Sequence, residues 1–135
     1  APHWIDGAKL HELANANGFG TRGTYLAVAA YIVLVNSLLE EYAWRWFVAS
    51  RLEQLVPPRF AVPLSALAFT LHHVVLLVAQ FGASFAAVAS IGVFAAGCLW
   101  SVFYARYRSI WPGWASHALV DVALLAIGWH LLFGA

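Results

Sequence analysis

The chain has little charge, a single cysteine and no methionine, and the shortage of charge is the most restrictive of these. Of its 135 residues, 10% are charged and 63% are hydrophobic, and the mean hydropathy is +0.77. Soluble domains have about 25% charged and about 45–50% apolar residues, so the composition predicts an integral membrane protein. The formal net charge is +1 and no basic run is present, so nucleic acid is not an expected partner.

The shortage of sulfur carries two further expectations. A single cysteine, Cys98, excludes an intrachain disulfide. It lies in an apolar stretch between Gly97 and Leu99, where we expect a small packing residue. Methionine is missing even at position 1, which leads us to expect a piece of a longer or processed chain, with further helices upstream.

Apolar stretches dominate the rest of the chain. We divide it into a polar, interfacial segment over residues 1–23, containing a short helix and a Gly-rich turn, and a transmembrane core over residues 24–135. About 20 helical residues cross a bilayer. Four stretches meet that length, at residues 24–50, 61–80, 84–104 and 114–133. The expected fold is therefore all-α, a multi-pass transmembrane helical bundle with about four spanning helices.

Three features of these spans predict local structure. Pro63 is expected in the first turn of the second span, where its missing N–H is harmless. The third span is rich in small residues, so we expect it to pack closely against a neighbouring helix. An interfacial aromatic belt is expected around the last connection, formed by Trp100, Tyr104, Tyr107, Trp111 and Trp114.

Basic residues predict the orientation in the membrane. Arg51 and Arg59 lie in the first connection between spans, and Arg106 and Arg108 lie in the third. With four spans these two connections share one face. Because cytoplasmic loops carry an excess of Lys and Arg, we expect this face to be cytoplasmic; in a prokaryotic cell the membrane would be the inner or plasma membrane.

Ionised side chains inside an apolar span are costly, at about 2.5–3.5 kcal/mol each on insertion scales. The first span nevertheless contains Glu40, Glu41 and Arg45. Glu41 and Arg45 are four residues apart and should meet as an ion pair. Glu40 points about 100° away, and adjacent carboxylates in a low dielectric raise a pKa, which favours a base poised near neutrality. A purely structural ion pair is the alternative, and it leaves Glu40 unexplained.

Histidines follow on two other spans. His73 lies one turn after Phe69, whose ring can wall the imidazole, and the alternative is an ordinary core histidine. His117 and Asp121 are four residues apart, and the alternative is a hydrogen bond that neutralises a buried acid. With Glu40, these groups lie on three spans and are expected to converge on one polar pocket. Such a pocket can activate water for attack on a carbonyl or hold a divalent metal such as zinc.

Three short motifs occur in order, Glu40-Glu41-x-x-x-Arg45, Phe69-x-x-x-His73 and His117-x-x-x-Asp121. Over residues 28–132 the pattern resembles the CPBP family, the CAAX-protease and bacteriocin-processing (Abi, Rce1-like) intramembrane endopeptidases. The resemblance implies hydrolysis of a peptide bond in a prenylated, lipid-anchored or membrane-embedded peptide. It also implies that membrane lipids surround the protein and that the active site faces the cytoplasm.

The resemblance also assigns roles to the first two motifs. Glu40 would be the general base that activates water, and His73 would share that water. Glu41 would support the site and pair with Arg45.

The third motif would supply the side of the site that stabilises an oxyanion or binds a metal. Family members often have Asn where this chain has Asp121, and an ionised Asp cannot donate a hydrogen bond to an oxyanion. The family is described both as metal-dependent and as glutamate-dependent, and both remain open here. In the metal-dependent version zinc would be held by Glu40, His73, His117 and Asp121.

Two other functions are alternatives. A non-catalytic bacteriocin-immunity or peptide-binding module would keep the fold and the polar pocket without turnover. A haem-carrying bundle is suggested by the spacing of His117 and His130, but bis-His ligation needs matching pairs on a second span. The second span offers only the adjacent His72 and His73. The oligomeric state is left open.

Overall fold

The computed structural model describes residues 7–134, which form five helices and contain no β-strand. The helices are α1 (Gly7–Ala16), α2 (Arg22–Leu55), α3 (Pro58–Phe81), α4 (Ala83–Tyr107) and α5 (Trp111–Phe133). Each of α2 to α5 is long and apolar enough to cross a membrane. The predicted all-α fold with four spanning helices is therefore confirmed, and each helix is longer than its predicted span.

The start of α2 is fixed by a capping box. The Thr21 hydroxyl accepts a hydrogen bond from the backbone N–H of Thr24, and the Thr24 hydroxyl accepts one from the backbone N–H of Thr21. Before this cap, α1 ends in a turn at Gly18, whose φ of +79° favours glycine. The predicted short helix and Gly-containing turn are both present.

α2 is not a regular α-helix. Two π-helical segments, Ile32–Asn36 and Tyr42–Ala49, enclose a short α-helical stretch, Ser37–Glu41. In π geometry each backbone N–H bonds to the carbonyl five residues earlier, which changes the direction of the side chains that follow. Glu40 and Glu41 are therefore the last two residues of an α-helical stretch that lies between two π-helical segments. The hydropathy pattern of the sequence does not predict this arrangement.

α3 and α4 form a helical hairpin around a single residue, Gly82, whose φ is +84°. Gly97 of α4 is buried against α3. A methyl group at Gly97 would lie 3.2 Å from the Phe69 ring and 3.3 Å from Ala66. The small residues of the third span therefore allow the close helix approach that the sequence predicts.

The start of α3 differs from the prediction. Pro57 is the N-cap and Pro58 is in the first turn, where proline is favoured. The helix therefore begins before residue 61, and Pro63 lies inside it. The placement of Pro63 in the first turn is wrong, because the Pro-Pro pair starts the helix earlier.

The chain divides into two compact units. The central unit, Leu39–Ser116, contains the second part of α2, all of α3 and α4, and the start of α5. The terminal unit consists of the described residues before Leu39 and after Ser116. Its core is formed by Ala14, Tyr25 and Leu132, and the Tyr25 hydroxyl donates a hydrogen bond of 2.7 Å to the carbonyl of Leu125.

Several of the largest buried side chains in this protein are polar. Among the described residues, the largest fully buried side chains other than Phe69 are polar, and they are Arg45, Glu41, Ser37, Ser65 and Ser101. Large apolar side chains such as Val75 and Ile91 are 70% and 72% exposed. This distribution suits a lipid surrounding, where apolar side chains are well solvated and polar ones need partners inside the protein.

Candidate active site

Glu41 and Arg45 form a buried ion pair within the central unit. Nε of Arg45 lies 3.5 Å from Oε2 of Glu41, and the two side chains are 1% and 0% exposed, respectively. The predicted pairing of these residues is confirmed. Because each charge compensates the burial of the other, removing either one would cost about 3–5 kcal/mol.

Two aromatic rings enclose Arg45. Its guanidinium carbon lies 4.4 Å from the centroid of the Phe69 ring and 5.3 Å from that of the Trp100 ring. Nη1 and Nη2 have no hydrogen-bond partner within residues 7–134, so the ring faces and Glu41 accommodate the charge. A desolvated cation over an aromatic face gains about 2 kcal/mol or more. Since Phe69 is on α3 and Trp100 is on α4, Arg45 links three helices.

Glu40 and His73 face each other from α2 and α3, also within the central unit. Nε2 of His73 lies 3.9 Å from Oε2 of Glu40, and the side chains are 24% and 15% exposed, respectively. This pair is therefore less enclosed than Glu41 and Arg45. At 3.9 Å the two atoms are too far apart for a direct hydrogen bond, and a separation of this size is one that a bridging water spans.

The other nitrogen of His73 fixes the ring. Nδ1 lies 3.0 Å from the backbone carbonyl oxygen of Phe69. Because a carbonyl oxygen only accepts, Nδ1 carries the proton in this hydrogen bond, and Nε2 of the neutral imidazole is an acceptor. The Phe69 and His73 ring centroids are 4.4 Å apart, so the prediction that Phe69 walls the imidazole is confirmed.

His117 and Asp121 form the remaining pair, in the terminal unit. Nε2 of His117 lies 3.9 Å from Oδ1 of Asp121, and the side chains are 5% and 15% exposed. Successive turns of α5 place them on one face, as their spacing predicts. The His117 imidazole is therefore nearly buried. As for Glu40 and His73, the separation of 3.9 Å is longer than a direct hydrogen bond.

The predicted site residues therefore come together as pairs. Glu41 with Arg45 and Glu40 with His73 lie in the central unit, and His117 with Asp121 lies in the terminal unit. The convergence of all of them on one pocket stays a prediction.

The metal site stays a prediction as well. Within each unit, the described residues contain no group of three or more His, Cys, Asp or Glu side chains arranged to hold a metal ion. Catalytic zinc sites use three protein ligands, whereas each unit offers a single imidazole–carboxylate pair at ligand-like spacing. The donor set of neither unit alone fits catalytic zinc.

Two residues of the predicted aromatic belt are buried inside the protein. Trp100 and Tyr104 are 3% and 8% exposed, whereas Tyr107 and Trp111 are exposed, and the level of these residues in the membrane stays a prediction. Trp100 is buried because its ring lies beside the Arg45 guanidinium. Its position three residues after Gly97, on the α4 face that contacts α3, is the sequence signal that would have identified it.

Comparison with known protein families identifies a match. Residues 22–123 match the family described as type II CAAX prenyl endopeptidase Rce1-like. No curated protein and no solved structure matches the chain. The matched residues include all three motifs, from Glu40 to Asp121.

Proposed function

Because the chain belongs to the type II CAAX prenyl endopeptidase Rce1-like family, we propose that Glu40 and His73 activate the water with which it cleaves its substrate. The family and the four apolar helices make it an integral membrane protein of the CAAX protease type. The family also implies a prenylated or lipid-anchored peptide as substrate.

The geometry of Glu40 and His73 is the observation that carries the proposal. With the imidazole proton on Nδ1, Nε2 of His73 is an acceptor, and it lies 3.9 Å from Oε2 of the Glu40 carboxylate. A water molecule between them donates one O–H to each, which satisfies both acceptors. Its oxygen then keeps its lone pairs directed away from the pair, where they can attack a carbonyl carbon.

The reaction follows from this arrangement. The water oxygen forms a bond to the scissile carbonyl carbon, and Glu40 takes the proton that the water loses. The carbonyl oxygen becomes an oxyanion. When the carbonyl reforms, the C–N bond breaks and Glu40 returns its proton to the departing amine nitrogen. His73 keeps its Nδ1 proton on the Phe69 carbonyl throughout, so its task is to orient the water.

Glu41 and Arg45 have a supporting role in this mechanism. The Arg45 guanidinium offsets the charge of Glu41 at 3.5 Å, so the carboxylate adjacent to Glu40 is neutralised within its own pair. Rings on α3 and α4 hold Arg45 in place. The Glu41–Arg45 pair therefore holds in place the part of α2 that contains Glu40. Because Glu41 is paired with Arg45, Glu40 is the carboxylate that exchanges a proton with water.

We assign stabilisation of the oxyanion to His117. An ionised Asp121 accepts hydrogen bonds and cannot donate one to an oxyanion, so the donor of this pair is the imidazole. The Asp121 carboxylate lies 3.9 Å from Nε2 of the His117 ring, on the same face of α5. This role for His117 is the one that the resemblance of the third motif implies.

We further propose that the site opens toward the cytoplasm. Arg51, Arg59, Arg106 and Arg108 all lie at helix ends or connections on one side of the sequence-derived topology. Arg108 pairs with Glu53 of α2, and the hydrogen bond and charge of Glu53 raise the pKa of Arg108. Arg108 consequently stays cationic at physiological pH and marks this face as positive.

The test is hydrolysis of a prenylated peptide by purified protein in lipid vesicles. Glu40→Gln removes the base while keeping the side-chain shape, so kcat should fall about 10²–10⁴-fold. His73→Ala should also abolish most activity. Matched controls are Glu53→Gln, a carboxylate on the same helix at the Arg108 pair, and His72→Ala, the exposed neighbour of His73. Both controls should keep wild-type kcat.

Two results would count against the proposal. Full activity of Glu40→Gln would exclude Glu40 as the base. Absence of hydrolysis by the wild type under all lipid and metal conditions, combined with peptide binding that survives Glu40→Gln, would favour the non-catalytic binding or immunity module. Metal analysis of the purified protein, together with activity after chelation, separates metal-dependent hydrolysis from glutamate-dependent hydrolysis.

A further inference from the structure

Gly113 lies where the first turn of α5 meets the Glu41 carboxylate, inside the central unit. Gly113 is buried, and a methyl group built on its Cα would lie 2.5 Å from Oε2 of Glu41 and 3.4 Å from Cδ. Non-bonded carbon and oxygen atoms do not approach to 2.5 Å. The carboxylate therefore occupies the space that a side chain at position 113 would fill.

Glu41 has little room to move away from such a side chain. It is fully buried, and its Oε2 lies 3.5 Å from Nε of Arg45. Arg45 is in turn enclosed by the Phe69 and Trp100 rings. A methyl group at Gly113 must consequently displace the Glu41 carboxylate together with Arg45, or push the start of α5 outward.

The location of Gly113 on its helix adds an electrostatic reason for the contact. Trp111 begins α5, so Gly113 is in its first turn, at the positive end of the helix dipole. A carboxylate is stabilised there. Glu41 is thus held between the Arg45 guanidinium and the N-terminal turn of α5.

We propose that Gly113 is a positioning residue, which acts through Glu41 to place the neighbouring Glu40 for its reaction with water. This rests on the proposed function. Glu40 and Glu41 are adjacent on one short α-helical stretch, so a shift of Glu41 moves the backbone of Glu40. The separation of 3.9 Å between Glu40 and His73 is then lost, and a misplacement of about 1 Å can cost about 10²-fold in rate.

The experiment compares Gly113→Ala with Gly92→Ala. Gly92 is an exposed helical glycine of α4, and nothing lies within 4 Å of a methyl group placed there. Both changes improve helix propensity, so propensity alone would stabilise both variants. We expect Gly113→Ala to lower kcat about 10²-fold with little change in KM, and to lower the Tm. Gly92→Ala should leave kcat unchanged and should keep or slightly raise the Tm.

The double variant Glu41→Asp with Gly113→Ala decides whether the effect acts through Glu41. Aspartate is one methylene shorter, so it withdraws the carboxylate by about 1.5 Å. The Tm loss caused by Gly113→Ala should therefore be smaller in the Glu41→Asp background than in the wild type. Wild-type kcat in Gly113→Ala, or equal Tm losses in both backgrounds, would overturn the proposal.

The two measurements also separate this inference from the proposed function. If the wild type hydrolyses no prenylated peptide, the proposed function fails, and with it the effect on kcat. The Tm comparison does not depend on activity, and it still decides whether Gly113 sets the position of Glu41.

Discussion

Arg45→Met is the most informative single substitution for the buried charges. Methionine keeps an apolar side chain of similar length beside Phe69 and Trp100, but removes the charge that compensates Glu41. The Glu41 carboxylate is fully buried, and in the wild type it lies 3.5 Å from Nε of Arg45. In the variant it would lose the positive charge of Arg45. The variant should therefore be much less stable than the wild type.

The magnitude follows from the geometry. Opposite unit charges 3.5 Å apart attract by about 5 kcal/mol at an effective dielectric constant of about 20. Breaking a buried pair from one side costs about 3–5 kcal/mol in measured cases. A domain of this length loses about 3–4 °C in Tm per kcal/mol, so Arg45→Met should lower the Tm by about 10–20 °C.

Thermal unfolding in detergent, followed by the fluorescence of the seven tryptophans, measures this shift. Arg106→Met is the matched control, because Arg106 is exposed at the end of α4, and its Tm should stay within about 2 °C of the wild type. Adding Glu41→Gln to Arg45→Met removes the remaining charge and should restore most of the lost stability. A Tm of Arg45→Met close to that of the wild type, or no recovery in the double variant, would refute the reasoning.

Two further predictions concern the central unit. Gly97→Val should lower the Tm by several degrees, because even one methyl group at Gly97 would lie 3.2 Å from the Phe69 ring, whereas Gly92→Val, with open space around it, should cost much less. Glu53→Gln should lower the Tm by less than about 4 °C, because an exposed ion pair contributes about 0.2–1 kcal/mol. Glu53 raises the pKa of Arg108 in the folded protein. The stability that the ion pair contributes is therefore fully present at any pH below the ordinary arginine pKa, and it is lost only when the pH rises through the raised pKa of Arg108. The Tm difference between Glu53→Gln and the wild type should therefore stay constant from pH 7 to pH 10.

The polar groups of the central unit differ in how far they are enclosed. Glu41 and Arg45 are fully buried, whereas Glu40 and His73 are 15% and 24% exposed. A structural ion pair needs to exclude water, and a water-activating pair needs to admit it. The alternative of a purely structural Glu–Arg pair therefore explains two of these residues and leaves the contact between Glu40 and His73 without an account.

Several features of the fold could be predicted because they depend on local sequence. The four spans follow from long apolar stretches, and the pairs Glu41–Arg45 and His117–Asp121 follow from the helical repeat, since residues four apart lie on one face. The contact of Phe69 with His73 follows from the same spacing. The bounds of α3 were less predictable, because the Pro57-Pro58 pair suits a helix start as well as a helix end.

Other features depend on which helices face each other, and the sequence does not encode this locally. Trp100 was expected at the membrane interface, yet its ring packs beside Arg45. The π-helical segments on either side of Glu40 and Glu41 leave no sign in the periodicity of the apolar residues. Gly113 has no motif around it, and its contact with Glu41 joins residues far apart in the chain.

By itself, then, the sequence determined a membrane-spanning all-α protein and the pairs of residues that share a helix face, because both follow from composition and the helical period. Only the tertiary structure decided that Glu40 meets His73, that Arg45 lies between two aromatic rings, and that Gly113 leaves room for Glu41. These contacts join different helices, and side-chain packing over long sequence separations selects them.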